Sequence, residues 1–571
     1  MNEGIILKRR IKNSLALFIL LIYTLLCFGP DVSAQNYKSR PLRIYWEERE
    51  HINPLATFDS SGSAIMQLCY DGLFEIDDIG NLKYSIAESA EWSADHKSLT
   101  IKIRDLRFTN GNKLSTDDVI ASILARRDYL NEFLKGELEV LSEETANEEN
   151  QTEDEVLETE AISEGTDVSE EVEEIVEELS SFSIYEQIDY FSRLQTDPFG
   201  LVSLMHIESI EALSANEIQI RLYDWAERLP WVLTFPIIPK SFVNNFKDEV
   251  APGTGRYRMS ALKEDLSLQL LGHRIDRAEP IEVKTYTNEE KALQAYEEGK
   301  IDCLYLQDKN FSNLSQRQDI ISIPQEGTRM FVALFGNASG YPFSDQVLRN
   351  AFKHWHRTWP NNSILLPEAN LPYQSRDWRS KIELQVPLWN SDKPAFEFLR
   401  EALKGKDIVI LAPATARGRK QLDFLAKQFS LLELGVEQIL VPEAQYPTYV
   451  AMGEYDICFV EIELTYPFDP LTLRSSLENW RSGSGFALPD FINANILAPM
   501  YSYSINASDK YLLDESLLLT EQAYFDSIWN SDFILGTFLK NGLILSKEVE
   551  GQISPPAWDP YRGIEALRCY Q

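Results

Sequence analysis

The sequence predicts an α/β protein in which mixed sheets, covered by helices, are divided between two lobes. Three observations predict it. Length is the first: the 537 residues that would remain after an amino-terminal export signal are too many for one core and suit two lobes, one of them subdivided. Composition is the second, since 44% hydrophobic and 11% aromatic residues supply cores of ordinary density. The third is a strand–helix–strand rhythm, clearest over Ile281–Tyr286, Asn288–Glu298 and Gly299–Leu304 and repeated over Tyr446–Val460. Such units build mostly parallel sheets with helices packed over them.

Taken in order, residues 1–34 read as the export signal. Lys8, Arg9, Arg10 and Lys12 form a basic start, Leu15–Phe28 is an uncharged apolar run of 14 residues, and Val32-Ser33-Ala34 offers small residues where a signal peptidase cuts. A bilayer span needs about 20 residues, so cleavage before Gln35 is expected, with a retained membrane tether as the alternative. Leu26 stands before Cys27, where a lipoprotein site would carry a small residue. Leu42–Trp46 is a short strand. Over Leu82–Tyr129, Leu99, Ile101 and Ile103 alternate with Thr100, Lys102 and Arg104, the pattern of a strand with one wet face. Asn110-Gly111 marks a tight turn. Ser115 then caps a helix with Asp118 at its third position, and Val119, Ile120, Ile123 and Leu124 form the buried stripe.

The net charge of −35 is concentrated. Glu137–Leu179 holds 17 Glu and 2 Asp with no Lys or Arg, which is −19 and leaves −16 for the rest of the chain. Dense like charge with few aromatics predicts a solvated, mostly disordered loop insertion. Its last turns, with Val172, Ile175, Val176 and Leu179, allow a marginal helix. Deleting the segment should leave the fold and its binding intact. Beyond it, Ile207–Leu222 reads as two β-runs, with Glu217, Gln219 and Arg221 facing water and Ile218, Ile220 and Leu222 facing in. Pro252–Tyr257 places two glycines around Thr254 but lacks the Lys and the Ser/Thr of a phosphate loop, so it is expected to be a structural turn. Asp407–Leu411 is a strand, Arg419–Leu434 a helix with Leu422, Leu425, Phe429 and Leu432 on one stripe, and Gly435–Ile439 the next strand.

Catalysis finds no foothold in these residues. There is no Gly-x-Ser-x-Gly elbow, no HExxH and no paired CxxC, and six His scattered over 571 residues form no triad. His354 and His356 are two apart on a helix and point to different sides, which makes a poor metal pair. Cys69 and Cys303 lie in apolar runs and are expected to be buried thiols, while the pairing of the cysteines stays open. No catalytic residue, metal or cofactor is expected.

The run from Ala87 through Trp92, Leu99, Ile103, Arg104, Phe108, Gly111, Leu114, Asp117, Asp118 and Val119 to Ser122 resembles, in residue type and spacing, the extracellular solute-binding proteins of the peptide, oligopeptide and nickel class, family 5, the receptors that feed ABC importers. Asn53-Pro54-Leu55 with Tyr70-Asp71-Gly72-Leu73, Phe331–Phe335 with Asn337, and Pro342–Phe352 with Arg349 extend the resemblance. It covers Leu42–Leu134 and Ile207–Arg474.

The resemblance implies a two-lobed periplasmic binding protein fold of type II, in the large cluster with an extra subdomain. Lobe I would comprise residues 35–328, including the extra subdomain and the acidic insertion 137–179; lobe II residues 329–524; residues 525–571 would return to lobe I. The loop between the first strand and its helix lines the cleft in that family, which makes Phe58, Ser60 and Ser61 ligand-side candidates, with a plain helix cap at Ser60 or Ser61 as the alternative. The two aspartates at 117 and 118 are expected to serve the helix start instead of ligand. Peptide receptors of the family anchor the α-amino group on an aspartate three residues before an acidic-Pro step. With Asp469-Pro470 as that step, the position is Tyr466, whose neutral phenol cannot make the charge-assisted bond, and Glu461, Glu463 and Asp469 are the neighbouring substitutes.

The implied function is that of a periplasmic receptor delivering a peptide-like or small organic solute to an ABC importer. Its partners would be that ligand and an ABC permease in the inner membrane. No nucleic-acid partner is expected of so acidic a chain, and a monomer is. A sensor or adaptor built on the same binding fold is the alternative, and an exported hydrolase of unfamiliar type a more distant one.

Overall fold

The computed structural model describes residues 39–47, 52–56, 60–95, 97–130, 204–223, 229–244, 250–260, 268–273, 279–336, 340–358, 389, 391–463, 533–556 and 558–570. The export signal, the acidic insertion and residues 464–532 lie outside these. No helix among the described residues is long and apolar enough to cross a membrane.

The chain opens with β1 (Ser39–Arg40) and β2 (Leu42–Glu47), then α1 (Ser60–Cys69), the hairpin β3 (Phe74–Ile76) and β4 (Leu82–Tyr84), and β5 (Ala87–Trp92) and β6 (Ser98–Ile103). In β6 the alternation foreseen from sequence holds: Leu99, Ile101 and Ile103 are buried and Lys102 is exposed. Residues 116–130 form α2. Its start is a reciprocal capping box, in which the Asp118 backbone N–H donates to Ser115 Oγ (3.3 Å) and Asp118 Oδ2 accepts from the Ser115 backbone N–H (2.9 Å). Asp118 Oδ1 also accepts the Lys240 N–H at 2.8 Å, which fixes the far segment to the helix start.

Beyond the insertion, β7 (Ile207–Ser214) and β8 (Glu217–Leu222) complete an antiparallel sheet in the order β5-β6-β8-β7. Next come β9 (Tyr257–Met259), β10 (Leu268–Gly272) and β11 (Ile281–Tyr286). The turn before β9 packs on the end of α1: Gly255 N–H donates to the Cys69 carbonyl at 2.9 Å, and a side chain at Gly255 would collide with that backbone. Its glycines serve close approach, as expected from the missing lysine.

The helix α3 (Glu289–Glu297) starts where Asn288 accepts the Lys291 N–H, and leads to β12 (Cys303–Leu306). Then come α4 (Asp308–Leu314), β13 (Ile321–Phe335), α5 (Gln346–Thr358), α6 (Ala395–Ala402) and β14 (Asp407–Pro413). The helix α7 (Ala416–Leu431) begins three residues before the expected Arg419, because Thr415 accepts the Gly418 N–H and sets the cap there. It is followed by β15 (Gly435–Val441), α8 (Tyr446–Met452), β16 (Ile457–Glu463), β17 (Phe533–Leu545), β18 (Val549–Glu550) and β19 (Arg568–Tyr570).

One ten-stranded sheet runs through both lobes in the order β15-β14-β16-β13-β17-β12-β2-β11-β10-β9. β13 and β17 are its long members, pairing with each other antiparallel on both sides of a break in register. Of β13 only Phe331–Phe335 was singled out from sequence, through the family resemblance, and β17 was not foreseen. Side chains along β13 alternate between cores: Met330, Val332 and Leu334 join the largest, with Ile44, Ile65, Ile101 and Leu543. Phe331, Ala333 and Phe335 join the lobe II core, with Phe352, Leu425, Phe429 and Phe459 under α5 and α7. A third core, with Tyr296, Leu304, Phe311 and Ile544, lies under α3 and α4.

Candidate functional site

The pairing directions point to a candidate site before any side chain is considered. In lobe I, β2 runs parallel to β11 and β12; in lobe II, β14 runs parallel to β15 and β16. The carboxyl end of β12, Leu306, faces Gly542 on β17, which faces Pro324 on β13. At the other side the carboxyl end of β16, Glu463, faces Arg329 on β13. The carboxyl ends of parallel strands from both lobes therefore converge on the short crossover between Pro324 and Met330. Ligands of open α/β sheets bind outside such ends.

The crossover is shaped by a bulge. Glu326 pairs with Lys540 and Met330 with Phe538, so Gly327, Thr328 and Arg329 oppose Leu539 alone. A Cβ at Gly327 would stand 2.8 Å from the Leu539 carbonyl oxygen and from Asn541 Nδ2, which leaves room for glycine only. On the lobe I side, Asn541 Nδ2 donates to the Tyr305 hydroxyl at 3.1 Å, and burial raises that tyrosine's pKa. Beside them Gln325, only 7% exposed, has no hydrogen-bond partner for either Nε2 or Oε1 among the described residues.

On the lobe II side, three charged groups meet among the described residues. Glu461 is the cross-strand partner of Phe331. Its carboxylate accepts from Arg417 Nη1 at 3.3 Å and lies 3.8 Å from Arg329 Nη1. Arg417 comes from the first turn of α7, and its guanidinium lies 5.8 Å from the centre of the Phe331 ring, which stacks on Phe459 at 5.5 Å and 4°. The Glu461 side chain is 40% exposed.

Of the residues expected at the site, Ser60 and Ser61 both fall inside the first turn of α1, on the carboxyl side of β2. Glu461 and Glu463 close β16 at the crossover. Phe58, Tyr466 and Asp469 lie outside the described residues. Arg329, Arg417, Gln325 and Asn541 were not foreseen. The glycine at 327 behind Pro324 was the one signal of a bulge; nothing in the sequence linked Arg417 to Glu461, 44 positions away.

Asp302, Glu548 and Cys569 bring ligand-type atoms within 4.8 Å of one another. A cation would find the place taken. Arg40 and Arg43 both bond the Asp302 carboxylate, Arg40 reaches Glu548 at 2.7 Å, and burial, then the charge of Asp302, pushes the Cys569 thiol up to about 11, so it stays protonated. His356 is buried, its Nδ1 2.8 Å from Gln428 Oε1. Cys69, Cys303, Cys458 and Cys569 are all buried.

Two lobes joined by crossing strands, with the strand ends of both gathered at the crossing, define a two-lobed binding protein. A sequence profile described as bacterial extracellular solute-binding proteins, family 5, matches residues 81–483, and the chain belongs to that family. Among solved structures, HbpA2 from Haemophilus parasuis is similar over 93% of this chain and 100% of its own, at 14% identity and a TM-score of 0.60. CtaP, an ABC transporter substrate-binding protein from Listeria monocytogenes, covers 93% and 100% at 13% identity and 0.58. NikZ from Campylobacter jejuni, solved with Ni(L-His), covers 92% and 99% at 16% identity and 0.54. Among curated protein sequences none matches.

Proposed function

We propose that this chain captures a small organic or peptide-like solute outside the cytoplasmic membrane and presents it to an ABC permease. The convergence of strand ends from both lobes on the Pro324–Met330 crossover carries this reading. Closing two lobes over a solute buries it and turns its binding into a change of shape that a permease can read. The boundary between lobe I (35–328, with 525–571) and lobe II (329–524) is supported by the register break between Glu326 and Met330. The extra subdomain is supported by the separate sheet β5-β6-β8-β7. The protein acts as a monomer that releases its solute unchanged, and is exported with removal of residues 1–34.

The test is a thermal-shift screen of residues 35–571 against short peptides, amino acids, organic acids, sugars and metal chelates. A ligand at a hundred times its Kd stabilises the folded state by about 2.7 kcal/mol. A hit that also shrinks the radius of gyration in solution scattering, and is recovered chemically intact, supports the receptor. A folded protein silent to the whole screen overturns it in favour of a sensor or adaptor.

A further inference from the structure

Tyr305, Asn541 and Gln325 stand on three neighbouring strands, β12, β17 and β13, at the lobe I end of the crossover. Asn541 is directly across from Gln325, and Leu543, two residues further along β17, is directly across from Tyr305. Paired residues and residues two apart share a face, so all three side chains lie on one side of the sheet. Among them one bond is made, from Asn541 Nδ2 to the Tyr305 hydroxyl oxygen. The Tyr305 proton has no acceptor among the described residues, and neither end of the Gln325 amide has a partner there. Both side chains are nevertheless buried, Tyr305 at 8% exposure and Gln325 at 7%.

A buried amide with both ends unpaired costs free energy, and such groups are few in native proteins. The place of this one narrows its role. Pairing between β13 and β17 is regular up to Glu326, the next residue, and resumes only at Met330. A turn of one lobe against the other is absorbed where pairing is irregular, which is immediately beside this amide. A group able to complete it stands close by. The Tyr305 hydroxyl already reaches over the middle strand to Asn541, and Gln325 lies across from the same Asn541. Neighbouring strands are about 4.8 Å apart, so a tyrosine and a glutamine on the two outer strands are long enough to meet over the middle one.

We propose that Gln325 is a latch on the hinge: the lobes exchange between the arrangement seen here and a second one in which the Tyr305 O–H donates to Gln325 Oε1. This rests on the receptor reading, which requires lobes that move, and adds the residue that sets their resting balance. The new bond is an addition. Asn541 keeps its bond to the tyrosine oxygen, so nothing is displaced, and a chain runs from Asn541 through Tyr305 to Gln325 in which each bond polarises the next. The unpaired amide destabilises the first arrangement and the completed bond stabilises the second. The two are thereby held close enough in energy for a solute to choose between them.

The experiment uses residues 35–571 without solute, spin-labelled at Glu290→Cys in α3 and Lys427→Cys in α7, both exposed positions. The native thiols at 69, 303, 458 and 569 are buried. Pulsed electron resonance then reads the distance between lobes, and two distances are expected, one of them that of the structure. Gln325→Leu should raise the urea midpoint and shift the ratio of the two about fivefold toward the structure's distance. Tyr305→Phe, which removes the donor and keeps the ring, should lose the second distance as well; a wild-type circular dichroism spectrum shows each variant folded. A single distance in the wild type, or an unchanged ratio in a Gln325→Leu protein whose midpoint has risen, overturns the latch. So does a fallen midpoint, which would mean that the amide is already bonded by an ordered water. A solute found in the thermal-shift screen while the distance stays single leaves the receptor standing and the latch refuted. Two distances that shift as stated while the screen is silent keep the latch and refute the receptor.

Discussion

Asp302, just before β12, and Glu461, near the end of β16, each sit between two arginines, and solvent separates their roles. Asp302 is 1% exposed and accepts five bonds of 2.6–2.9 Å: two from Arg40, and three from Arg43 counting its backbone N–H. Burial opposes its charge, and the bonds from Arg43 and Arg40 outweigh burial and hold it below the usual carboxylate range. It ties β1, β2 and β12 together, and through the Arg40–Glu548 pair also the turn before β18. Glu461 is 40% exposed and held at 3.3 and 3.8 Å. The same three kinds of group make short, forked bonds where water is excluded and longer contacts where it is not. Low dielectric and a complete bond set decide which.

The sharpest way to break the comparison is Asp302→Asn. Removing one charge from a buried cluster leaves the others uncompensated, at a cost of about 3–5 kcal/mol, to be read as a large fall in the urea midpoint. Its pH dependence follows from the sign of the shift. A folded-state pKa below the unfolded value of about 3.9 contributes stability that is fully present above that value and is lost as pH falls through the folded one. The difference in stability between wild type and Asp302→Asn should therefore hold from pH 7 to about pH 4 and narrow below it.

Gly327→Ala should follow, costing about 1–3 kcal/mol, because a methyl there must push back Leu539 or Asn541 at the bulge. Its midpoint and its solute response should fall together if the bulge is the hinge. Gln325→Leu should act in the opposite direction. It removes a buried amide with two unmade hydrogen bonds and should raise the midpoint by about 1 kcal/mol. Glu461→Gln is expected to move stability least, within about 0.5 kcal/mol, as for exposed ion pairs. A fall comparable to that of Asp302→Asn would show that Glu461 is a second clamp and would erase the contrast.

Local signals carried much of the fold. The Ser115–Asp118 box, the alternation in β6 and β8, the helix beginning at Asn288 and the glycine turn at Thr254 each depend on residues a few positions apart, and each was legible. The hinge strands were harder to read. Pro324 and Gly327 break the β pattern of Ile321–Phe335, yet among the described residues β16 pairs only from Arg329 onward, and Pro324 falls where β13 is paired with β17 alone. In β17, Gly536, Asn541 and Gly542 interrupt the apolar run in the same way.

The sequence by itself determined the α/β class, the two-lobed plan and the family, because periodicity, caps and motif spacing are local properties of the chain. Only the tertiary structure decided that Asp302 meets Arg40 and Arg43 from about 260 positions away and that Arg417 and Arg329 face Glu461. Charge pairs between distant strands leave no pattern in composition or spacing. Their strength comes from burial and bond geometry, which exist only once the sheet has assembled.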